Sequence, residues 1–262
     1  MKKFFVSCIW IIAGLALALS IQKKEYTPQN AVIAWDFHDV IAYKPIGAMT
    51  WESIKIVRDA DNRWELIKLL FSPTFIKELW YGLGQTKSGD RMIEEIVALH
   101  PTELSEHKEK IYSVATLHYI SPEMIDIITR LKELGYVQVL ASNIGHESLM
   151  RMEKKYPQVF SLFDGLFYDG AFKKNGERYT YKVKPSIEYF QALKEFLVER
   201  NWEQSHIIFI DDRRDNIDAA QNAAVGIDGI QFINASQLRE ELKKRGMLEN
   251  KNIKNEQMQT TH

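Results

Sequence analysis

Cysteine is almost absent from this sequence of 262 residues, which contains only Cys8. A single cysteine cannot form a disulfide within the chain or a metal site built on several thiolates. A strong charge of either sign is also missing, because the formal net charge is −1 and lysine and arginine are interspersed with aspartate and glutamate. Proteins that bind nucleic acids usually carry a basic patch. The composition therefore gives no support for a nucleic-acid partner.

Long uncharged apolar runs are also rare, and the one exception is residues 4–21. Lys2 and Lys3 precede this run, which predicts an export signal or a membrane anchor over residues 1–22. The small residues Ala16 and Ala18 suit cleavage as a signal peptide, whereas the length of the run just reaches what a membrane-spanning helix needs. A helix buried in the protein core is the third reading of this run.

The rest of the chain contains no repeat of fixed period. Of all residues in the chain, 45% are hydrophobic and 26% are charged, which is typical of a folded globular protein. Apolar strand segments alternate with amphipathic helices, which predicts an α/β fold with a parallel sheet. We predict the core of this fold at residues 30–44 and 119–247. Residues 45–118 have the apolar spacing of several helices and predict an inserted helical domain. The polar residues 248–262 predict a disordered tail.

Five polar residues stand where predicted strands end. They are Asp36 after residues 31–35, Ser142 and Asn143 after residues 137–141, and Asp211 and Asp212 after residues 207–210. Lys184 stands directly before a proline that opens a predicted helix. Because the carboxyl ends of parallel strands lie at one edge of a sheet, where ligands bind, we expect these side chains to share a site.

These segments resemble, in order and spacing, the four motifs of the haloacid dehalogenase-like (HAD) hydrolase superfamily, whose members are mostly phosphatases. The resemblance covers about residues 31–245, and its most specific part is residues 209–220. It points to the sugar-phosphatase-like branch of the superfamily. The resemblance implies a doubly wound, Rossmann-like core in which residues 45–118 form a helical cap.

The resemblance also implies a role for each polar residue in the hydrolysis of a small phosphorylated substrate. Asp36 would be the nucleophile that forms an aspartyl-phosphate. Ser142 and Asn143 would bind the phosphate, and Lys184 would bind it while neutralising the attacking carboxylate. Of the adjacent aspartates, we expect Asp212 to be the closer metal ligand. The implied ligands of Mg²⁺ are the carboxylates of Asp36, Asp211 and Asp212 and the backbone carbonyl of His38.

His38 departs from the pattern of the superfamily. That position usually holds an aspartate that protonates the leaving group, and here it holds histidine, with Asp39 next. Residues 36 and 38 share one side of an extended chain, so His38 should still face the site. Beside Mg²⁺ and Lys184 its imidazole should be mostly neutral, and therefore a weak acid.

The change at His38 leaves three readings of the function. The first is a phosphatase, and the second is a non-catalytic HAD-like binding protein, or pseudophosphatase, at the cell envelope. The third is a dehalogenase, which would share the nucleophile but would not need the carboxylates of Asp211 and Asp212 to hold a cation.

Three tryptophans of the predicted insertion, Trp51, Trp64 and Trp80, have two readings. They could line a pocket for an aromatic or sugar-like substrate, or they could pack in the core of the insertion. We expect core packing, because large aromatic side chains dominate core burial.

We expect the protein to be found outside the cytoplasm or at the inner membrane, because residues 4–21 are uncharged and follow two lysines. Fractionation of cells that express the full chain tests this, with the N-terminal residue of the product identified by mass spectrometry. A soluble cytosolic product that retains its whole N-terminal segment would contradict both the signal and the anchor.

Overall fold

The computed structural model describes residues 26–83, 88–169, 173–174, 177–178, 183–202, 206–223 and 226–248. The predicted export or anchor segment, residues 1–22, lies outside the described residues, as does all but the first residue of the predicted tail, residues 248–262. Within the described ranges, no helix is both long and apolar enough to cross a membrane. The location of the protein therefore stays a prediction.

A parallel sheet of five strands lies at the centre of the described chain. The strands of the described residues are β1 (Ala31–Trp35), β2 (Ala42–Tyr43), β3 (Tyr119–Ile120), β4 (Val137–Gly145), β5 (Gly165–Asp169), β6 (Lys173–Lys174), β7 (Glu177–Arg178), β8 (His206–Asp211) and β9 (Ile227–Gln231). The sheet has the order β5-β4-β1-β8-β9, and each neighbouring pair is parallel. In the central strand, Val32 pairs with Val137 of β4 and with Ile207 of β8. The predicted α/β fold with a parallel sheet is confirmed.

Helices cover both faces of this sheet. The described helices are α1 (Ile46–Arg58), α2 (Arg63–Leu70), α3 (Pro73–Leu83), α4 (Gly89–Leu99), α5 (Pro101–Leu104), α6 (Lys108–Ala115), α7 (Pro122–Glu133), α8 (His146–Lys155), α9 (Pro157–Phe160), α10 (Ile187–Glu199), α11 (Arg214–Asn222) and α12 (Ala235–Lys244). Successive residues of β1 point to opposite faces. Val32 and Ala34 pack with α10 and α11, whereas Ile33 and Trp35 pack with α7, α8 and α12. The doubly wound arrangement is therefore present.

Helix α7 shows how the sequence sets the ends of these elements. The hydroxyl of Ser121 accepts the backbone N–H of Met124 at 3.4 Å, and Pro122 occupies the first turn. Gly135 has a φ of +89° just after the helix, a conformation that glycine adopts at little cost. A serine cap thus begins this helix, and a glycine follows its end.

Helices α1 to α6 form an insertion between β2 and β3. These two short strands pair antiparallel, with Ala42 opposite Ile120 and Tyr43 opposite Tyr119, so the chain leaves and re-enters the core at one ribbon. The insertion has a small apolar core of its own. That core contains the buried side chains Ala60, Leu66, Leu69, Phe75, Val97 and Leu104.

The expectation that the tryptophans of the insertion pack in its core is wrong for two of them. Trp51 is 56% exposed and Trp64 is 63% exposed. Mostly aliphatic side chains fill the small core instead, and α1 contributes no buried residue. Each indole lies near a cation, Lys55 at 5.9 Å and Arg63 at 5.8 Å, an arrangement that exposed aromatic rings tolerate. The side chain of Trp80 lies outside the described part of the structure.

Strand β9 contains Asp228 and Gly229, a dipeptide that is common in turns, but both residues are paired in the sheet. The carboxylate of Asp228 accepts a hydrogen bond from the Tyr26 hydroxyl and lies 3.4 Å from Arg245. A Cβ at Gly229 would lie 2.6 Å from Ile217, so glycine lets helix α11 approach the strand. Tertiary contacts thus override the local turn signal.

Candidate active site

The carboxyl ends of three adjacent strands meet at one edge of the sheet. Asp36 follows β1, Ser142 lies near the end of β4 on one side, and Asp211 ends β8 on the other side. The backbone N–H of Asp36 donates to the carbonyl of Ile210 at 2.8 Å, which keeps this residue beside β8. The edge therefore brings together polar residues that are distant in sequence.

Lys184 joins two of these strand ends. Its ammonium group lies 2.9 Å from Oδ1 of Asp36 and donates to Oδ2 of Asp211 at 2.7 Å and to the carbonyl of Ala141 at 3.1 Å. The residue is only 3% exposed. Burial alone would lower the pKa of Lys184, but the charges of Asp211 and Asp36 raise it above its ordinary value. The lysine is therefore a permanent cation at this edge.

Asn143 holds the backbone of Lys184 in place. Its amide oxygen accepts the Lys184 N–H at 2.9 Å, and its amide nitrogen donates to the Lys184 carbonyl at 3.1 Å. The predicted role of Asn143 in binding phosphate stays a prediction. What the structure shows is that both ends of this amide position the lysine.

Three carboxylates form a cluster that can hold a cation. Asp36, Asp211 and Asp212 each offer one oxygen, and these oxygens all lie within 4.8 Å of one another. Burial first, and then the charges of Asp211 and Asp36, raise the pKa of Asp212 to about 6. Carboxylate oxygens are the ligands that hard divalent cations prefer, and such a cation would relieve the repulsion among the three carboxylates. The donor set therefore fits Mg²⁺.

The two adjacent aspartates have different surroundings. Asp211 is fully buried, and its Oδ1 accepts from the backbone N–H of Arg213 at 2.9 Å and from Nδ2 of Asn216 at 2.8 Å. Asp212 is half-buried, and within the described ranges its carboxylate makes no such contact with a side chain. The carboxylate of Asp212 is thus freer to bind a cation, and its expected role as the closer metal ligand stays a prediction.

Ser142 is buried, and its hydroxyl has no hydrogen-bond partner among the described residues. A buried hydroxyl without a partner is costly and calls for an explanation, such as a ligand that the site is built to bind. The geometry is consistent with the predicted contact between Ser142 and a phosphate oxygen.

His38 lies against two aromatic rings beside the site. Its ring centroid is 5.5 Å from that of Phe37 and 5.0 Å from that of His118. Burial, and then the nearby His118, Lys44 and Lys184, lower the pKa of His38 well below its usual value. Its imidazole is neutral near pH 7, as the sequence predicts. The carboxylate cluster is formed without its side chain, and the metal contact expected from its backbone carbonyl stays a prediction.

Two residues around the site were not predicted from the sequence. Asn216 orients Asp211, and it lies within residues 209–220, the most specific part of the motif pattern, so its position held a usable signal. His118 is buried next to His38, and burial lowers its pKa to about 4 against a smaller opposing effect of the Thr116 backbone. Only the ribbon of β2 and β3 brings His118 to the site, and nothing in its local sequence indicates this.

Comparisons with known proteins agree with this geometry at the level of the fold. A HAD-family enzyme of Bacteroides thetaiotaomicron has a TM-score of 0.51 at 19% identity, over 80% of this chain and 98% of the enzyme. The chain has the fold of haloacid dehalogenase-like hydrolases. A dehalogenase of the same fold has a TM-score of 0.53 at 15% identity, over 83% of this chain and 99% of the dehalogenase. Searches of protein-family profiles and of curated proteins find no match.

The HAD-like core that the sequence motifs imply is therefore confirmed. At these identities the likeness establishes the fold and does not identify the reaction. The reaction has to follow from the residues at the sheet edge.

We expect a divalent cation to bind at Asp36, Asp211 and Asp212 in competition with a proton. Because the pKa of Asp212 is raised to about 6, the affinity for Mg²⁺ should be high above that pH. Below it, each pH unit should weaken binding roughly tenfold, since the carboxylate must lose its proton to bind. Isothermal titration calorimetry with Mg²⁺ at about pH 5 and about pH 7.5 measures the difference.

Asp212→Asn should weaken Mg²⁺ binding at the higher pH and remove most of its dependence on pH. Asp218→Asn is the matched control, because Asp218 is a half-buried aspartate of α11 that pairs with Arg214. Unchanged affinity in Asp212→Asn would rule out this carboxylate as a ligand.

Proposed function

We propose that the chain is a Mg²⁺-dependent phosphatase that hydrolyses a small phosphomonoester through an aspartyl-phosphate at Asp36. The observation that carries the proposal is the buried Lys184, which contacts Asp36 at 2.9 Å and Asp211 at 2.7 Å. A carboxylate that attacks an anionic phosphate needs fixed positive charge beside it. The lysine supplies this charge at the strand end that also carries the carboxylate cluster.

Asp36 is placed for nucleophilic attack. Lys184 holds Oδ1 of Asp36, which leaves Oδ2 to form a bond to phosphorus. As that bond forms, the bond between phosphorus and the ester oxygen breaks, and the departing oxygen takes up a proton. Water then attacks the phosphorus of the aspartyl-phosphate, which releases inorganic phosphate and restores the carboxylate. The two displacements replace one more difficult step.

The remaining residues of the site bind charge and orient groups. Ser142 can donate its hydroxyl to a phosphate oxygen, and Lys184 neutralises part of the phosphoryl charge. Mg²⁺ held by Asp36, Asp211 and Asp212 would offset the repulsion between the carboxylate and the phosphate. Asn143 and Asn216 keep Lys184 and Asp211 in position.

This site differs in its proton transfers from a site that has aspartate at position 38. A neutral imidazole at His38 can accept a proton from the attacking water, but it is a weak donor to the departing oxygen. This difference favours a second candidate, a HAD-like pseudophosphatase that binds phosphorylated ligands without turnover. A dehalogenase is disfavoured, because the carboxylates of Asp211 and Asp212 form with Asp36 a cluster that suits a cation, which a dehalogenase would not need.

The proposed partner is a small phosphorylated molecule that the protein meets outside the cytoplasm or at the membrane. The support for this location is the uncharged run at residues 4–21 with its preceding lysines.

Asp36→Asn should abolish turnover of an aryl phosphate by the full chain in mild detergent with Mg²⁺. An amide of the same shape cannot act as a carboxylate nucleophile, so the variant should keep its fold and bind inorganic phosphate weakly. Asp126→Asn, an exposed change on α7, should retain the activity of the original chain. Hydrolysis by Asp36→Asn at the original rate would remove Asp36 from the mechanism. Phosphate binding without hydrolysis by the unmodified chain would favour the pseudophosphatase.

The rate should depend strongly on the leaving group, because His38 stands where a proton donor is expected. Aryl phosphates, whose phenolates leave without help, should be hydrolysed faster than alkyl phosphates. General acid catalysis contributes roughly 10²–10⁴-fold, and the ratio of kcat/KM between the two classes should be of that order.

His38→Asp should accelerate alkyl phosphates selectively, because a carboxylic acid can protonate the departing oxygen. Asp126→Glu is the control, because it keeps the charge of an exposed residue on α7. Equal kcat/KM for both substrate classes, with no gain in His38→Asp, would show that another group donates the proton.

A further inference from the structure

The insertion is attached to the core by a buried aspartate. Asp90, the second residue of α4, is 8% exposed. Its carboxylate accepts the backbone N–H of Glu147 at 2.7 Å and that of Ser148 at 3.1 Å, and it also accepts the Ser148 hydroxyl. These groups form the first turn of core helix α8. Asp90 therefore caps a helix that begins more than fifty positions later in the chain.

Helix α8 has no cap of its own. The residue at its N-terminal cap position is Gly145, which has no side chain to accept the free N–H groups. Four such groups at the start of every helix need partners. The insertion supplies the missing acceptor, and the negative charge of Asp90 also suits the positive end of the helix dipole.

Gly145 is a glycine for reasons of space rather than backbone conformation. Its φ of −80° and ψ of 166° are open to any residue. A Cβ at this position, however, would lie 2.3 Å from the carboxylate carbon of Asp90 and 2.4 Å from its Cβ. The core is thus shaped to receive Asp90 at this one point.

A second contact lies beside the first. Asp169 ends β5, and its buried carboxylate accepts the Ser88 hydroxyl at 2.8 Å. Arg91 contacts the same carboxylate at 2.9 Å and 3.1 Å through two of its guanidinium nitrogens. Residues on both sides of Asp90 are therefore tied to the carboxyl edge of the sheet.

The helix that Asp90 caps follows directly from the site. Ser142 and Asn143 lie near the end of β4, and this strand ends at Gly145, directly before α8. Asn143 in turn holds Lys184 by two hydrogen bonds. The position of the first turn of α8 thus affects the phosphate-facing hydroxyl and the lysine that contacts the nucleophile.

We propose that Asp90 is a positioning residue, which sets residues 142–145 for phosphate binding by capping α8 when the insertion is seated on the core. This inference rests on the proposed function, because its catalytic consequence is a change in phosphoryl transfer. Asp90 touches no reacting atom. It couples the seating of the insertion to the arrangement of Ser142, Asn143 and Lys184.

Four variants of the full chain test this role by kcat/KM for an aryl phosphate with Mg²⁺. Asp90→Ala should lower kcat/KM roughly tenfold, which is the scale of losing one helix cap. Asp90→Asn should recover most of the loss, because asparagine caps helices about as well as aspartate. Gly145→Ala should resemble Asp90→Ala, because the added methyl group displaces the carboxylate. Asp59→Ala, an exposed change on the same insertion beside Arg58, should have no effect.

A double variant separates loss of the contact between Asp90 and α8 from direct damage to residues 142–145. In the double variant Asp90→Gly with Gly145→Ala, the new methyl group at residue 145 meets no side chain at residue 90, because the aspartate has been removed. The double variant should therefore be no worse than Asp90→Gly alone. A further loss in the double variant would show that the added methyl group disturbs residues 142–145 directly and not through Asp90, which overturns the proposed coupling.

Amide hydrogen exchange provides a readout that does not require hydrolysis. Exchange at residues 142–148 should be faster in Asp90→Ala and unchanged in Asp59→Ala. Faster exchange with kcat/KM equal to that of the original chain would overturn the positioning role. An original chain without hydrolysis would refute the proposed function and with it the positioning role, while faster exchange would still establish Asp90 as the cap of α8.

Discussion

The buried ammonium of Lys184 is the interaction on which the carboxyl edge of the sheet depends. It lies between Asp36 and Asp211, and burying a lysine without such partners would cost far more than an ordinary ion pair returns. Three ionised carboxylates and one lysine leave the edge with two negative charges in excess. Burial first, and then the neighbouring carboxylates, raise the pKa of Asp212 to about 6, so a third ionised carboxylate is disfavoured there. A divalent cation would neutralise this excess negative charge. A bound phosphate would add further negative charge, which again favours the cation.

The fold supplies this edge through strand order, and the insertion refines it. Strand β1 is flanked by β4 and β8, so the residues that follow three strands converge without any contact between distant loops. Asn143 then fixes Lys184, and Asp90 fixes the helix that follows Asn143. Two sets of hydrogen bonds, joined by the backbone of residues 143–147, therefore link α4 of the insertion to the lysine beside Asp36. The position of α4 is thus linked to residues of the site although α4 contacts none of the reacting groups that we propose.

Periodicity and strand ends predicted the core and its polar edge, because both follow from local pattern: an apolar strand, then a polar residue. Asp36, Ser142 and Asp211 were found in this way. The cap that Asp90 provides for α8 could not be predicted from the sequence, since an aspartate near the start of one helix ordinarily caps its own helix. The exposure of Trp51 could not be found either, because an apolar helical stripe does not reveal whether a partner covers it.

The two histidines beside the site stay outside its charge balance. Burial lowers the pKa of His38 and that of His118, and each lies near lysines that further disfavour the imidazolium. Near pH 7 neither ring adds positive charge to compete with Lys184 or a metal ion. The groups that balance charge are therefore the carboxylates and the lysine, while His38 is the residue that we propose for proton transfer. An aspartic acid that protonated the departing oxygen would become a further negative charge beside the phosphate. In the proposed mechanism the neutral His38 instead accepts a proton from the attacking water, which places a positive charge there, and it is a weaker acid for the departing oxygen.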